Sequence, residues 1–386
     1  MSKIKAVALL IFFAPLWLAA QETEWERNIQ STFEQARTLF DKQLYKPART
    51  KFEEVINSGV SSHTRWAEES HYYRAMCALF MMNRDAEALL DEFSISYPTS
   101  ALMRKAALNA ADYYFNKKDY RKAEEWLQKV DTRSLKGEEL NEYYFRLGYA
   151  QLMNKNKEDA KVNFLKIKDK TGDNAKSAKY YYAHIAYEDS NYTTALDNFE
   201  QLLDDPNFGP VVPYYLAQIY YRKAEFDKLI QYGEPLLARA TEKRKPEIAK
   251  LLGEAYLRKN QFQKATQYLE MYKNSGGRML AQDNYSLGYA YYKTQRYAEA
   301  IQLFNKISIE GTEPDLAQNA YYHLADSYLK TDNKPEAMTA FKAASNVGTN
   351  AKMTEDAFFN YAKLNYELAN PFGGAINAFQ DFLKKY

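Results

Sequence analysis

The stretch 284–307, NYSLGYAYYKTQRYAEAIQLFNKI, decides the fold. Leu287-Gly288 puts a small residue inside an apolar run, with Tyr291 three residues on. Ala300 follows twelve residues after Gly288, and Phe304 and Ile307 lie four and seven residues beyond Ala300. Those spacings are helical, with a short polar break at Thr294-Gln295-Arg296 between two apolar stripes. Two antiparallel helices come close only where their facing side chains are small, so Gly288 and Ala300 mark a hairpin contact. The same arrangement recurs upstream as Leu252-Gly253, Tyr256, Ala265 and Leu269, and downstream as Leu324-Ala325, Tyr328, Ala337 and Phe341.

Extending the register gives ten copies, anchored on Ala36, Ala75, Ala111, Gly148, Ala183, Ala217, Gly253, Gly288, Ala325 and Ala362, in steps of 34 to 39 residues. Eleven to thirteen residues after each anchor stands Ala48, Ala86, Ala123, Ala160, Ala195, Leu229, Ala265, Ala300, Ala337 or Ala375, nine alanines in ten places. Copy six is the exception: Leu229 replaces the alanine, and Gly233 stands where a large apolar residue is usual. Turns such as Lys117-Lys118-Asp119 and Asn154-Lys155-Asn156 fit brief helix–helix connections. Tyr97-Pro98, Asp205-Pro206 and Gly276-Gly277 punctuate the joins between copies. Asp204-Asp205 and Glu138-Glu139 read as solvated turn charges.

On these residues the chain resembles the tetratricopeptide repeat (TPR) family, over essentially everything after about residue 25. The expected fold is all-α, a right-handed superhelical solenoid of about ten TPR helical hairpins spanning 21–386. The family's first-helix Trp is absent, with Tyr144 and Tyr321 in that slot. Phe382-Leu383-Lys384-Lys385-Tyr386 falls in phase with Phe93-Ser94-Ile95-Ser96-Tyr97. The last copy is thus left uncapped, and the repeat is expected to continue in a longer protein.

Residues 1–20 differ in kind. Lys3 and Lys5 precede an apolar run from Ala6 to Leu18, and Ala19-Ala20 offers small residues at a cut, the layout of a secretory signal peptide cleaved near Ala20. Removing it leaves 50 basic against 50 acidic residues, a neutral balance that argues against nucleic acid as the partner. The single cysteine, Cys77, lies in an apolar stretch and excludes a disulfide framework. An exported, disulfide-free repeat protein fits the bacterial periplasm, and any membrane association would run through partners.

The resemblance implies that first helices line a concave groove. At fixed offsets from the anchor lie the aromatic residues Tyr214, Tyr221, Tyr285, Tyr292 and Tyr322 and the cations Arg222, Arg258, Lys293 and Lys330. An aromatic row beside a basic row suits an extended peptide carrying carboxylates. The function expected is a periplasmic scaffold for protein–protein interaction in the cell envelope (outer-membrane assembly, Tol-Pal or secretion). The alternative is a glycan-binding module that stacks sugars on the tyrosines. No catalytic motif stands out: His63, His71, His184 and His323 form no zinc pair and no Gly-rich phosphate loop occurs, so no enzyme, metal or cofactor is expected. Of the histidines only His184, at an expected concave position, is worth watching.

Overall fold

The computed structural model of the protein describes residues 24–62, 64–368 and 374–386. The expected leader, His63 and the side chain of Ala375 lie outside them. Twenty α-helices and one 3-10 turn make up the described secondary structure, without a strand. They divide into two compact units, with the boundary between Ala175 and Lys176.

In the first unit the hairpins are α1 Glu24–Asp41 with α2 Tyr45–Asn57, α3 Arg65–Phe80 with α4 Ala86–Ser96, α5 Met103–Asn116 with α6 Tyr120–Leu127, and α7 Gly137–Met153 with α8 Lys157–Ile167. The remaining pairs are α9 Asp173–Glu188 with α10 Tyr192–Glu200, α11 Val212–Arg222 with α12 Phe226–Arg239, and α13 Lys245–Arg258 with α14 Phe262–Asn274. They are followed by α15 Ala281–Lys293 with α16 Tyr297–Phe304, α17 Pro314–Lys330 with α18 Lys334–Val347, and α19 Ala351–Glu367 with α20 Gly374–Lys385. Each of the ten copies in the sequence is one helical hairpin.

The small residues do what close approach requires. All seven alanine anchors, from Ala36 to Ala362, and their described partners from Ala48 to Ala337 are at most 1 % exposed. Phe52, Leu90, Phe164, Phe199 and Phe304 are buried one turn further along the second helices. A Cβ at Gly288 would stand 2.8 Å from the Phe304 ring, so the glycine lets that ring lie directly on the first helix.

The hairpin turns share one geometry. Each of the first nine first helices is followed by a left-handed residue that is not glycine: Gln43, Met82, Lys118, Lys155, Ser190, Ala224, Asn260, Gln295 and Asp332. The amide after it bonds back five residues, as in Gln261 to the Tyr256 carbonyl and Arg296 to the Tyr291 carbonyl. This is a Schellman-type stop, which satisfies free carbonyls at the helix end. Without glycine the left-handed residue costs about 1 kcal/mol, and the repeated hydrogen bonds offset it.

One turn differs from the solvated pair expected at Asp204-Asp205. The Asp205 side chain is only 5 % exposed, pairs with Lys176 at 3.0 Å and accepts the amides of Asn207 and Phe208 at 2.8 and 3.1 Å. It holds together the turn that leads into α11, and those donors keep its carboxyl below the usual range against the opposing effect of burial.

Candidate functional site

The four cations of the expected basic row each occupy the last position of a first helix: Arg222 on α11, Arg258 on α13, Lys293 on α15 and Lys330 on α17. The helix dipole favours positive charge there. All four are exposed. Ion pairs are abundant elsewhere, such as Arg49–Asp85, Lys122–Glu87 and Lys334–Glu367, yet among the described residues none of these four has a carboxylate within 4.0 Å. Arg222 lies over the Tyr187 ring at 5.7 Å, and Lys293 over Phe262 at 5.2 Å.

The tyrosines of the row are half-buried, and the hydroxyls of Tyr292 and Tyr322 already have carboxylate partners. Tyr292 donates to Asp326 at 2.6 Å and Tyr322 to Asp356 at 2.5 Å, each carboxylate coming from the next repeat. Burial first, and then the adjoining carboxylate, raises both phenol pKa values. Tyr285 stacks on Tyr289 at 5.9 Å and 14°, and burial raises its pKa as well. The Arg244 guanidinium lies over the Tyr214 ring at 4.1 Å.

Tyr221 opens onto a cleft of about 400 Å³ shared with Lys250, Leu251, Glu254, Arg258 and Gln282. Glu254 is 7 % exposed, and its Oε1 has no hydrogen-bond partner. Burial raises its carboxyl pKa, with Ser286, Lys250 and Arg258 opposing the shift. Lys250 forms an ion pair with the buried Asp283 of the next repeat. The aromatic row is therefore interleaved with acids, whereas the cations of the basic row form no ion pair among the described residues, although Arg258 shares its cleft with Glu254.

Glu254, Asp326 and Asp356 were not singled out from the sequence. A signal existed for two of them, because Glu254 and Asp326 both directly follow the anchors Gly253 and Ala325. His184, the histidine worth watching, is half-buried with its ring 5.5 Å from Tyr215. His323 is the more enclosed of the two, ringed by Tyr289 at 4.9 Å, Tyr292 at 5.0 Å and Tyr322 at 5.7 Å. Among the described residues no group of three His, Cys, Asp or Glu could hold a metal ion, and no helix is long and apolar enough to cross a membrane.

Two tetratricopeptide repeat family models match, one over residues 285–351 and the other over 105–135. The matched segments are continuous in register with the ten hairpins. The chain carries tetratricopeptide repeats, and the family of such repeats is in general one of non-enzymatic scaffolds that bind protein partners.

Solved structures similar to it include a tetratricopeptide repeat protein from Parabacteroides merdae, at 16% identity over 67% of this chain and 98% of that one, with a TM-score of 0.41. Another is the C-terminal part of a TPR repeat-containing protein from Cytophaga hutchinsonii, at 17% identity over 69% and 97% of the two chains, TM-score 0.41. A third is yeast Tom70, at 13% identity over 90% and 98%, TM-score 0.33. No curated protein matches with significance.

Proposed function

We propose that this protein is an exported scaffold of the bacterial envelope that holds an extended, carboxylate-bearing segment of another protein against its first helices in repeats six to nine. The observation that carries this reading is the row Arg222, Arg258, Lys293 and Lys330. Four successive repeats end their first helix on an exposed cation with no ion-paired acid among the described residues. An isolated surface ion pair contributes about 0–1 kcal/mol. Binding through such a row therefore gains register and association rate from repetition rather than from any one contact. The half-buried tyrosines add apolar surface beside it, with Tyr292 and Tyr322 already fixed by their carboxylates.

Sugar stacking finds less support, because it needs open ring faces. Tyr285 lies on Tyr289, and Tyr214 lies under Arg244. The periplasmic location is supported by the pattern of residues 1–20 and by a chain whose single cysteine allows no internal disulfide. N-terminal sequencing of the protein from a periplasmic fraction tests that part, the expected start lying near Gln21. A chain recovered from the cytoplasm with Met1 in place would overturn it.

For the binding face, a fluorescent peptide rich in Asp and Glu with a free C-terminus is titrated against the whole chain. Saturable binding that weakens steeply with salt supports the reading. Equal binding of an amidated Asn/Gln peptide would sink it.

A further inference from the structure

Repeat six, irregular in sequence, is also irregular in packing, and its neighbour shows what is missing. In repeat seven Tyr268 of α14 stacks on Tyr256 of α13 at 5.5 Å and 6°, is 7 % exposed, and donates to Glu234 of the preceding second helix at 2.6 Å. The residues in register in repeat six are Tyr232, Tyr220 and Glu200. There Tyr232 is 45 % exposed, its ring is 6.2 Å from Tyr220 at 27°, and Tyr220 has taken the carboxylate of Glu200 at 3.1 Å.

This position is buried in the other repeats from three to nine: Trp126, Asn163, Asn198, Tyr268, Leu303 and Ala340 are all at most 7 % exposed. The cause lies in the hairpin contact. Leu229 stands fully buried where the other described copies carry alanine, while Gly233 lets Leu252 of the next repeat press against α12. What remains between α10, α11 and α12 is a cleft of about 530 Å³ with Leu203, Leu216, Tyr220, Tyr232, Pro235 and Leu236 in its walls.

We infer that this cleft is a second binding site, and that it takes a tyrosine side chain from another polypeptide. The fold supplies the template. In repeat seven the same space is filled by a tyrosine ring whose hydroxyl reaches the corresponding glutamate. Of the charged groups at the rim, Lys228 pairs with Glu225 and Arg239 with Asp204, which leaves Glu200 as the acceptor that a ring bearing a hydroxyl donor would meet. A carboxylate offers several acceptor sites, and Glu200 can receive a second phenol beside that of Tyr220. The size falls in the range of sites that enclose a ligand group. The site is formed by α10, α12 and the side of α11 that carries Leu216 and Tyr220, and none of the four cations of the basic row lines it.

The test follows leucine-methyl NMR signals of the whole chain during titration with N-acetyl-tyrosinamide, then with N-acetyl-phenylalaninamide. Saturable shifts confined to Leu203, Leu216 and Leu236 are expected, with the phenylalanine probe weaker by about fivefold, the factor one hydrogen bond supplies. Leu203→Trp fills the cleft and abolishes the shifts, with helicity retained by circular dichroism. Glu200→Gln, an exposed position that leaves the fold intact, erases most of the preference for tyrosine over phenylalanine. Shifts that do not saturate, equal affinity for the two probes, or shifts that persist in a folded Leu203→Trp protein would each overturn the inference.

Discussion

The phenol of Tyr292 donates a hydrogen bond of 2.6 Å to the carboxylate of Asp326, one repeat further along the chain. Tyr322 repeats the arrangement with Asp356. Residues expected to wait for a ligand thus join successive hairpins. Replacing Tyr292 by Phe removes a hydrogen bond to a charged group, while half-exposed Asp326 regains water, so the loss is about 1 kcal/mol of stability. Urea denaturation measures it, and a cycle with Asp326→Asn isolates the pair. Strict additivity of the two changes would show that the bond contributes nothing.

How far the sequence reaches follows from which interactions it encodes locally. Ala300 facing Gly288 is legible because helices at close quarters exclude larger side chains, and the spacing of the pair stays within one hairpin. The four cations are legible because each ends a helix at a fixed distance from its anchor. The tie between Tyr292 and Asp326 is not, since the partner lies 34 residues away and nothing in a single copy shows which neighbour it faces. Leu229 and Gly233 marked repeat six as unusual. That the departure opens a cleft depends on how Leu252 and α12 settle in three dimensions.

Gly233 is required by its neighbour. A Cβ there would lie 2.2 Å from Leu252 Cδ2 and 3.0 Å from its Cγ. Gly233→Ala is therefore expected to destabilise by about 1–3 kcal/mol through overpacking, although alanine favours the helix by about 1 kcal/mol. Leu252→Ala alone leaves a cavity at a fully buried site and costs about 2–5 kcal/mol. The double variant is expected to lose clearly less than the sum, because the space removed by one change is supplied by the other. Thermal or urea melts of the four proteins check this.

His323 makes stability depend on pH. Burial lowers its pKa from 6.5 to about 4, with Asp326 opposing the shift and Lys293 adding to it. Between those values the unfolded chain binds a proton that the folded chain refuses, so stability is complete above about pH 6.5 and falls as pH drops toward 4. His323→Phe keeps a ring among the surrounding tyrosines and flattens this part of the profile. His71, also lowered mainly by burial, leaves a smaller slope. Melting temperatures from pH 7.5 to 4.5, with equal slopes in the two proteins, would count against the assignment.

Cys77 is fully buried, and burial pushes its thiol pKa up to about 12. The thiolate is the reactive form, so the folded protein is expected to resist a chromogenic disulfide reagent at pH 8 and to react at once in denaturant. Rapid labelling of the native chain would contradict the packing described for α3.

The central claim concerns Arg258, Lys293 and Lys330, exposed and in no ion pair among the described residues. Reversing all three to Glu breaks no ion pair among the described residues; it costs the dipole interaction at three helix ends, about 0.3–1 kcal/mol each, together with the contact of Lys293 over Phe262 and the attraction between Arg258 and Glu254. A triple change to Gln tests charge loss without reversal. The decisive measurement is capture of crosslinked partners from native envelopes by the wild-type and both triple variants, with helicity checked in parallel. The account predicts that the Glu variant captures nothing and the Gln variant little, with helicity unchanged in both. Undiminished capture by a folded Glu variant would contradict it.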